Sequence, residues 1–220
     1  MPGKPTSEPC PWGDRDWTEY YDAVSGKPAR ETTLKAIEVV RANAEVPRVA
    51  VDIGAGEGRD TAALLDAGFK VLAIDPHPEA SRRIAERIVG LNAATAGRLD
   101  VVIGGAESLD AAVAMRPVFE RCGVVNASFS LPFVRPERYA RAWSTIRRLM
   151  APGGVFAGQF FGERDSWASI EGRSHHSRQT MDELLFGLEV IECKEDEKDG
   201  HDATGRPKHW HVYHVVARQR

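Results

Sequence analysis

The chain has 220 residues, with 29 Lys and Arg against 32 Asp and Glu and a formal net charge of −3. The two signs are interspersed, which gives no electrostatic case for nucleic acid or an anionic membrane as a partner. Cys10, Cys122 and Cys193 are odd in number, widely spaced and free of any C-x-x-C pair, which argues against a disulfide framework or a zinc cluster and leads us to expect reduced thiols in a cytoplasmic protein.

Met1 to Asp16 is rich in Pro, Gly and charge with no apolar core region, so it reads as a flexible segment and not a signal peptide. The apolar runs are far shorter than a membrane span requires. Residues 17–220 are expected to form one domain, and a length of this order buries a sizeable core without a metal or disulfide staple. Trp17 to Ala44 reads as helical and amphipathic in places, with Trp17, Tyr20 and Tyr21 either capping a ligand cleft or packing on a sheet edge.

Short β-branched runs then alternate with helical stretches, the pattern of a parallel sheet covered by helices. Strands are predicted at Arg48 to Ile53, Lys70 to Ile74, Leu99 to Ile103, Cys122 to Ser128 and Val155 to Phe161. Helices are predicted at Thr61 to Ala67, Glu79 to Ala94 and Glu137 to Met150, the last ended by Ala151-Pro152-Gly153-Gly154. Thr180-Met181-Asp182-Glu183 reads as a capping box that opens a further helix. Leu188 to Lys194 and His209 to Ala217 read as two last strands joined by a polar connection, and consecutive strands without a helix between them pair antiparallel. The expected fold is α/β: a doubly wound, seven-stranded, mostly parallel sheet with one antiparallel strand and helices on both faces.

Val51-Asp52-Ile53-Gly54-Ala55-Gly56-Glu57-Gly58 ends the first strand and opens a helix. Residues without a Cβ let the chain turn sharply there and let a ligand touch backbone, and in doubly wound sheets ligands lie beyond the carboxyl ends of the strands. The spacing is G-x-G-x-G, not the G-x-G-x-x-G of many dinucleotide folds. Asp75 ends the second strand, where a carboxylate suits a ribose diol; alone, Asp75-Pro76 is also a plain turn. An acidic loop without a pyrophosphate partner suits S-adenosyl-L-methionine (SAM), which carries a sulfonium and an ammonium. Gly105 to Ser108 and Asn126 to Phe133 follow the third and fourth strands as ligand-contacting or merely structural loops.

Together the glycine run, Asp75, Ala106-Glu107 and Asn126-Ala127-Ser128 resemble the motifs of Rossmann-fold SAM-dependent methyltransferases. Gly58-Arg59-Asp60-Thr61, the Asn126 to Phe133 loop, Gly158 to Trp167 and Lys208-His209-Trp210-His211 are most similar to small bacterial methyltransferases of the tellurite-resistance type. The resemblance implies Asp52, Gly54, Ala55 and Gly56 around the methionine part of SAM, with Asp60 and Thr61 beside them. It implies Asp75 and Pro76 at the ribose, Ala106 and Glu107 at the adenine, and Asn126, Ser128 and Phe129 near the sulfonium and acceptor. Trp17, Tyr21, Phe161, Arg164, Trp167 and His209 are substrate candidates.

Methyl transfer from a sulfonium is an in-line displacement in which the protein supplies alignment and a dry site, and a general base is needed only for a protonated nucleophile. His175, His176, His209, His211 and His214 are the available histidines for that role, and none is assigned as catalytic. His209 and His211 share a strand face, but no acid completes a metal set. The Glu192 to Asp202 charge run reads as a solvated hairpin. The expected function is methyl transfer to a small-molecule acceptor. A non-catalytic SAM-binding regulator and an NAD-dependent oxidoreductase are the alternatives.

Overall fold

The structure, a computed structural model, describes residues 17–89 and 93–220. The segment expected to be flexible, Cys10 within it, and the last residues expected in the Glu79 to Ala94 helix fall wholly or partly outside those residues. The helices are α1 (Trp17–Val24), α2 (Glu31–Arg41), α3 (Arg59–Asp66), α4 (Pro78–Val89), α5 (Ala93–Ala96), α6 (Leu109–Ala114), α7 (Pro136–Leu149) and α8 (Arg178–Leu185). The strands are β1 (Val49–Ile53), β2 (Lys70–Asp75), β3 (Leu99–Ile103), β4 (Cys122–Ala127), β5 (Met150–Gly162), β6 (His175–His176), β7 (Leu188–His201) and β8 (Pro207–Gln219).

The main sheet runs β3-β2-β1-β4-β5-β8-β7, with β6 attached parallel to β5. The first five are parallel neighbours, and β8 alone runs against both β5 and β7. Strand order reverses at β1, the position at which doubly wound sheets open a crevice beyond their carboxyl ends. Side chains alternate across each strand, so two cores form. Val51, Ile53, Leu72 and Ile74 face α6, α7 and α8 with Trp143, Phe156 and Phe160. Ala50, Val71, Ala73 and Val124 face α2, α3 and α4 with Leu64, Phe69 and Ile84.

Several predicted boundaries move. The residues Ala151 to Gly154, read as helix breakers, lie within β5: Cys122 pairs with Met150 but Val124 with Val155, so a bulge absorbs them. The predicted capping box is displaced by one turn. Ser177 is the N-cap, its hydroxyl accepting from the Thr180 N–H at 3.2 Å, and Thr180 sits inside α8. The helix α6, which the sequence reading leaves unassigned, buries Leu109, Ala112 and Val113 at helical spacing.

The largest departure is the C-terminal hairpin. Its strands were expected to stop at Lys194 and resume at His209; instead the ladder continues to His201 paired with Pro207. The polar connection is thus mostly strand, and the turn is confined to 202–206, where the Asp202 carboxylate accepts from the Thr204 and Arg206 N–H groups. Cross-strand pairing satisfies the backbone over this length, so a charged composition does not stop it. Among the described residues no helix is long and apolar enough to cross a membrane.

Candidate active site

The carboxyl ends of β1, β2, β4 and β5, with α1 and the hairpin on either side, enclose a cavity of about 430 Å³. The glycine bend forms one end. Gly54 and Gly56 have φ of +70° and +56°, and a Cβ on Gly54 would lie 2.3 Å from Cβ of Ser130. The bend therefore needs glycine twice over, for its left-handed backbone and for its close approach to the β4 loop.

Asp75 ends β2 at this wall and is 6 % exposed. Its Oδ2 accepts from the Gly56 N–H at 2.9 Å, and its Oδ1 from the His77 N–H at 2.9 Å and the Tyr21 hydroxyl at 3.1 Å. Burial raises its pKa above the usual aspartate range, and these donors oppose that by stabilising the anion. Burial, and then the Asp75 charge, push the Tyr21 phenol far up, so Tyr21 remains a donor. Pro76, Ala106 and Glu107 continue this side of the cavity.

Asp52, Asp60, Thr61 and Asn126 do not line the cavity; they form a buried layer beneath it. Asp52 accepts from the Thr61 hydroxyl at 2.6 Å and from Asn126 Nδ2 at 2.8 Å. Asn126 Oδ1 accepts from the Thr33 hydroxyl, and Asp60 from the Arg30 N–H. Burial, then the neighbouring Asp60 charge, raise the Asp52 pKa. This layer fixes the first turn of α2 against the ends of β1 and β4. Ala55, also buried, packs into the core on the α2 side. Position along a strand was legible for these residues; which way each side chain points was not.

The middle of the cavity is formed by Ser128 and Phe129. Phe129 has φ of +53°, unfavourable for a bulky residue. Its N–H donates to Gln159 Oε1 at 3.1 Å, and the Arg30 guanidinium stacks on its ring at 4.4 Å. Two polar atoms at this cavity's wall, Arg30 Nε and Ser130 Oγ, are buried without a hydrogen-bond partner among the described residues.

The far end belongs to β5 and the hairpin. Phe161, Trp210, Val212, His214, Asp196 and Lys198 line it, with Trp167 closing the edge. Trp17 and Tyr21 cover the opposite side from α1. Behind the aromatic wall Lys208, almost fully buried, pairs with the buried Asp165 carboxylate. Its ammonium lies 3.8 Å from the Trp167 ring and 4.4 Å from that of Trp210. Charge and ring faces thus hold the two tryptophans in place.

Arg164 and His209 are placed away from the cavity. On the strands of the hairpin, even and odd positions face opposite ways, and the odd ones form the back surface. Arg164 pairs there with Glu195 and Glu197, and His209 with Asp199 and Glu197. His211, fully buried, bridges the Arg164 N–H and Glu195. His175 and His176 pack in and near β6, and burial pushes His176 down to about 4. Trp210, Asp196 and His214 face the cavity instead; His214 was one of the five histidines considered as a base, while Trp210 and Asp196 were not among the predicted site residues, although their alternation along β7 and β8 marks one face. No group of three or more metal-ligating side chains occurs among the described residues.

Residues 51–156, the stretch from the glycine bend through the first half of β5, match the family described as methyltransferase domain. No curated protein sequence matches the chain closely enough to count as a relative. Solved structures match through the fold. TehB from Haemophilus influenzae is 14 % identical, with a TM-score of 0.68 over 93 % of this chain and 68 % of that one. The 1,6-didemethyltoxoflavin-N1-methyltransferase of Burkholderia thailandensis, solved with its substrate and S-adenosylhomocysteine, is 22 % identical, with a TM-score of 0.58 over 92 % and 84 %. The N-methyltransferase NodS of Bradyrhizobium japonicum WM9, solved with S-adenosyl-L-homocysteine, is 14 % identical, with a TM-score of 0.63 over 92 % and 97 %. The fold is accordingly the Rossmann-like one of methyltransferases, as the sequence resemblance implied.

Proposed function

We propose that the cavity binds S-adenosyl-L-methionine and that the domain transfers its methyl group to a small-molecule acceptor. The observation that carries this reading is Asp75, a buried carboxylate held by backbone donors on the same wall as the glycine bend. A volume of about 430 Å³ lies within the range of small-molecule sites, roughly 300–1,000 Å³. Arg30 lines the same cavity, and its guanidinium, largely withdrawn from water, suits a carboxylate. SAM, when bound, supplies an electrophilic methyl group.

The roles of the chain's own residues follow from their places. Asp75 receives ribose hydroxyls, either on its remaining acceptor capacity or by displacing the Tyr21 hydroxyl. Ala106 and Glu107 flank the base. Arg30 takes the amino-acid carboxylate, and Phe129 stands between this end and the acceptor. Trp17 and Tyr21 cover the cleft from α1 and exclude water, which strengthens every polar contact inside. Asp52, Asp60, Thr61 and Asn126 act from below by holding the bend and the start of α2. The acceptor lies against Phe161, Trp167 and Trp210. The toxoflavin enzyme holds 1,6-didemethyltoxoflavin, a small molecule, beside S-adenosylhomocysteine, in keeping with an enclosed cavity of this size.

Calorimetric titration with SAM and with NADH tests the reading. SAM binding with release of methyl to an acceptor is expected; NADH binding without SAM binding overturns it. Arg30→Met is expected to weaken SAM by roughly tenfold or more, the loss of a charge-assisted contact, and to leave 5′-methylthioadenosine, which lacks the amino-acid moiety, within about twofold. Equal weakening of both would show that Arg30 acts only on the fold.

A further inference from the structure

We propose that His214 is the general base of this site, and that the acceptor is a planar aromatic or heteroaromatic compound whose nucleophile arrives as an N–H or O–H. The inference rests on the methyltransferase reading and adds a substrate class to it.

The geometry is built by β8. His214 pairs in register with Gln159 on β5 and with Lys194 on β7. It faces the cavity with Trp210 and Val212, and its side chain keeps 27 % exposure. Its ring meets Phe129 edge-on at 6.1 Å, and Phe129 in turn meets Phe161 and Trp210 at 6.2 Å each. Imidazole and the three rings therefore share one wall, whose flat faces suit a flat ligand. The polar neighbour of His214 is Asp196, with Oδ2 at 3.9 Å from Nε2. Among the described residues no hydrogen bond occupies either ring nitrogen, whereas His209 and His211 are both tied to carboxylates on the back face.

The charges around the ring leave it able to take a proton. Burial lowers its pKa below the ordinary histidine value. Asp196 raises it, and Lys194, Arg30 and Lys198 lower it. The sum is a neutral imidazole near pH 7, with a carboxylate placed to stabilise the imidazolium that forms, an arrangement suited to general-base work. In the reaction the acceptor's N–H or O–H proton goes to His214. The acceptor lone pair forms the new bond to the methyl carbon, and the carbon–sulfur bond breaks with its electron pair passing to sulfur. The products are the methylated acceptor and a neutral thioether, and His214 returns its proton to water. A thiolate or chalcogen oxyanion, already ionised, has no use for this base.

The test uses the full chain with catechol, 8-hydroxyquinoline, benzimidazole and 2-aminopyridine as ring acceptors, and selenite and tellurite as anionic ones. SAM affinity is measured first by calorimetry, so that failure of the methyltransferase reading registers separately as absence of SAM binding. Methylation of at least one ring compound is expected. Its kcat/KM is expected to fall on the acid side with a midpoint below that of free imidazole. His214→Asn should lower it by about a hundredfold, remove the acid limb and leave SAM affinity within about twofold. Added imidazole should restore part of the rate. Asp196→Asn should move the acid limb to lower pH, because the carboxylate that favours the imidazolium is gone. A readout independent of turnover is quenching of tryptophan fluorescence by the ring compounds in protein without SAM, expected in wild type and reduced severalfold in Trp210→Ala. A SAM-binding protein that methylates only the anionic acceptors or none of the ring compounds, or whose His214→Asn variant keeps the wild-type pH profile, overturns the inference.

Discussion

The two ends of the cavity are made by different means. At the glycine bend the chain offers backbone: left-handed glycines, the Gly56 N–H on Asp75 and a turn stacked against Ser130. At the hairpin it offers side chains, projecting at every second position of β7 and β8 from strands whose backbones are spent on each other. The first kind of surface tolerates almost no substitution and recognises a fixed ligand. The second can change residue by residue without disturbing a ladder, as suits the part of an enzyme that selects its acceptor.

The sharpest way to break this contrast is at Gly54. In Gly54→Ala the new Cβ would collide with Cβ of Ser130 at 2.3 Å and would sit at φ of +70°. SAM binding is expected to fall by more than about a hundredfold, the consequence of a misplaced bend. Calorimetry reads this directly, and retention of affinity would mean that the bend has room the geometry denies.

The hairpin end has one place with a comparable demand. Lys208→Met leaves the Asp165 carboxylate buried without its cation, a loss of about 3–5 kcal/mol by the behaviour of broken buried ion pairs. Chemical denaturation measures it. Adding Asp165→Asn to Lys208→Met should recover part of the loss, since the unpaired charge is removed while one of the two backbone contacts, to the His211 or the Trp167 N–H, can persist on the amide oxygen. If the single variant is as stable as wild type, the ion pair is not what braces the aromatic wall.

The contrast also explains what the sequence could and could not reveal. Gly54, Gly56, Asp75, Ala106 and Glu107 were legible because each follows its strand at a spacing set by the turn itself. Asp52 and Asn126 were read as ligand contacts because they lie near the same strand ends; the structure turns both into the layer below, since one residue of difference along a strand reverses the face. The hairpin's two strands and their antiparallel pairing were legible, but its outer half was hidden. A strand that lines a wet cavity on one face and carries ion pairs on the other has no apolar face to betray it, so 195–201 read as a loop. His209 and Arg164 were drawn toward the site by their chemistry, yet they sit on the back surface, and Trp210, between two conspicuous histidines, faces the cavity.

Trp210→Ala separates the two ends by a smaller effect. It removes one aromatic face from the acceptor wall and one from Lys208. The KM for the acceptor is expected to rise by roughly ten- to a hundredfold, in line with about 1–3 kcal/mol for a stacked aromatic surface. SAM affinity should stay within about twofold. Weakening of both ligands alike would mean that the wall and the bend are one mechanical unit.

The smallest effect belongs to the back face of the same strands. Arg164 reaches Glu195 and Glu197 at 3.2 and 2.6 Å, and these partners hold the guanidinium firmly protonated. All three side chains nevertheless stand in water, where a pair exchanges hydration for contact at little net gain and salt screens what is left. Arg164→Ala should therefore shift the melting midpoint by no more than about 2 °C and leave KM for both ligands unchanged. The outcome is informative because Arg164 lies two residues beyond β5, next to the cavity in sequence and behind the sheet in space. A large rise in the acceptor KM would mean that the charge reaches through the hairpin, and the division of β7 and β8 into a ligand face and a solvent face would have to be abandoned.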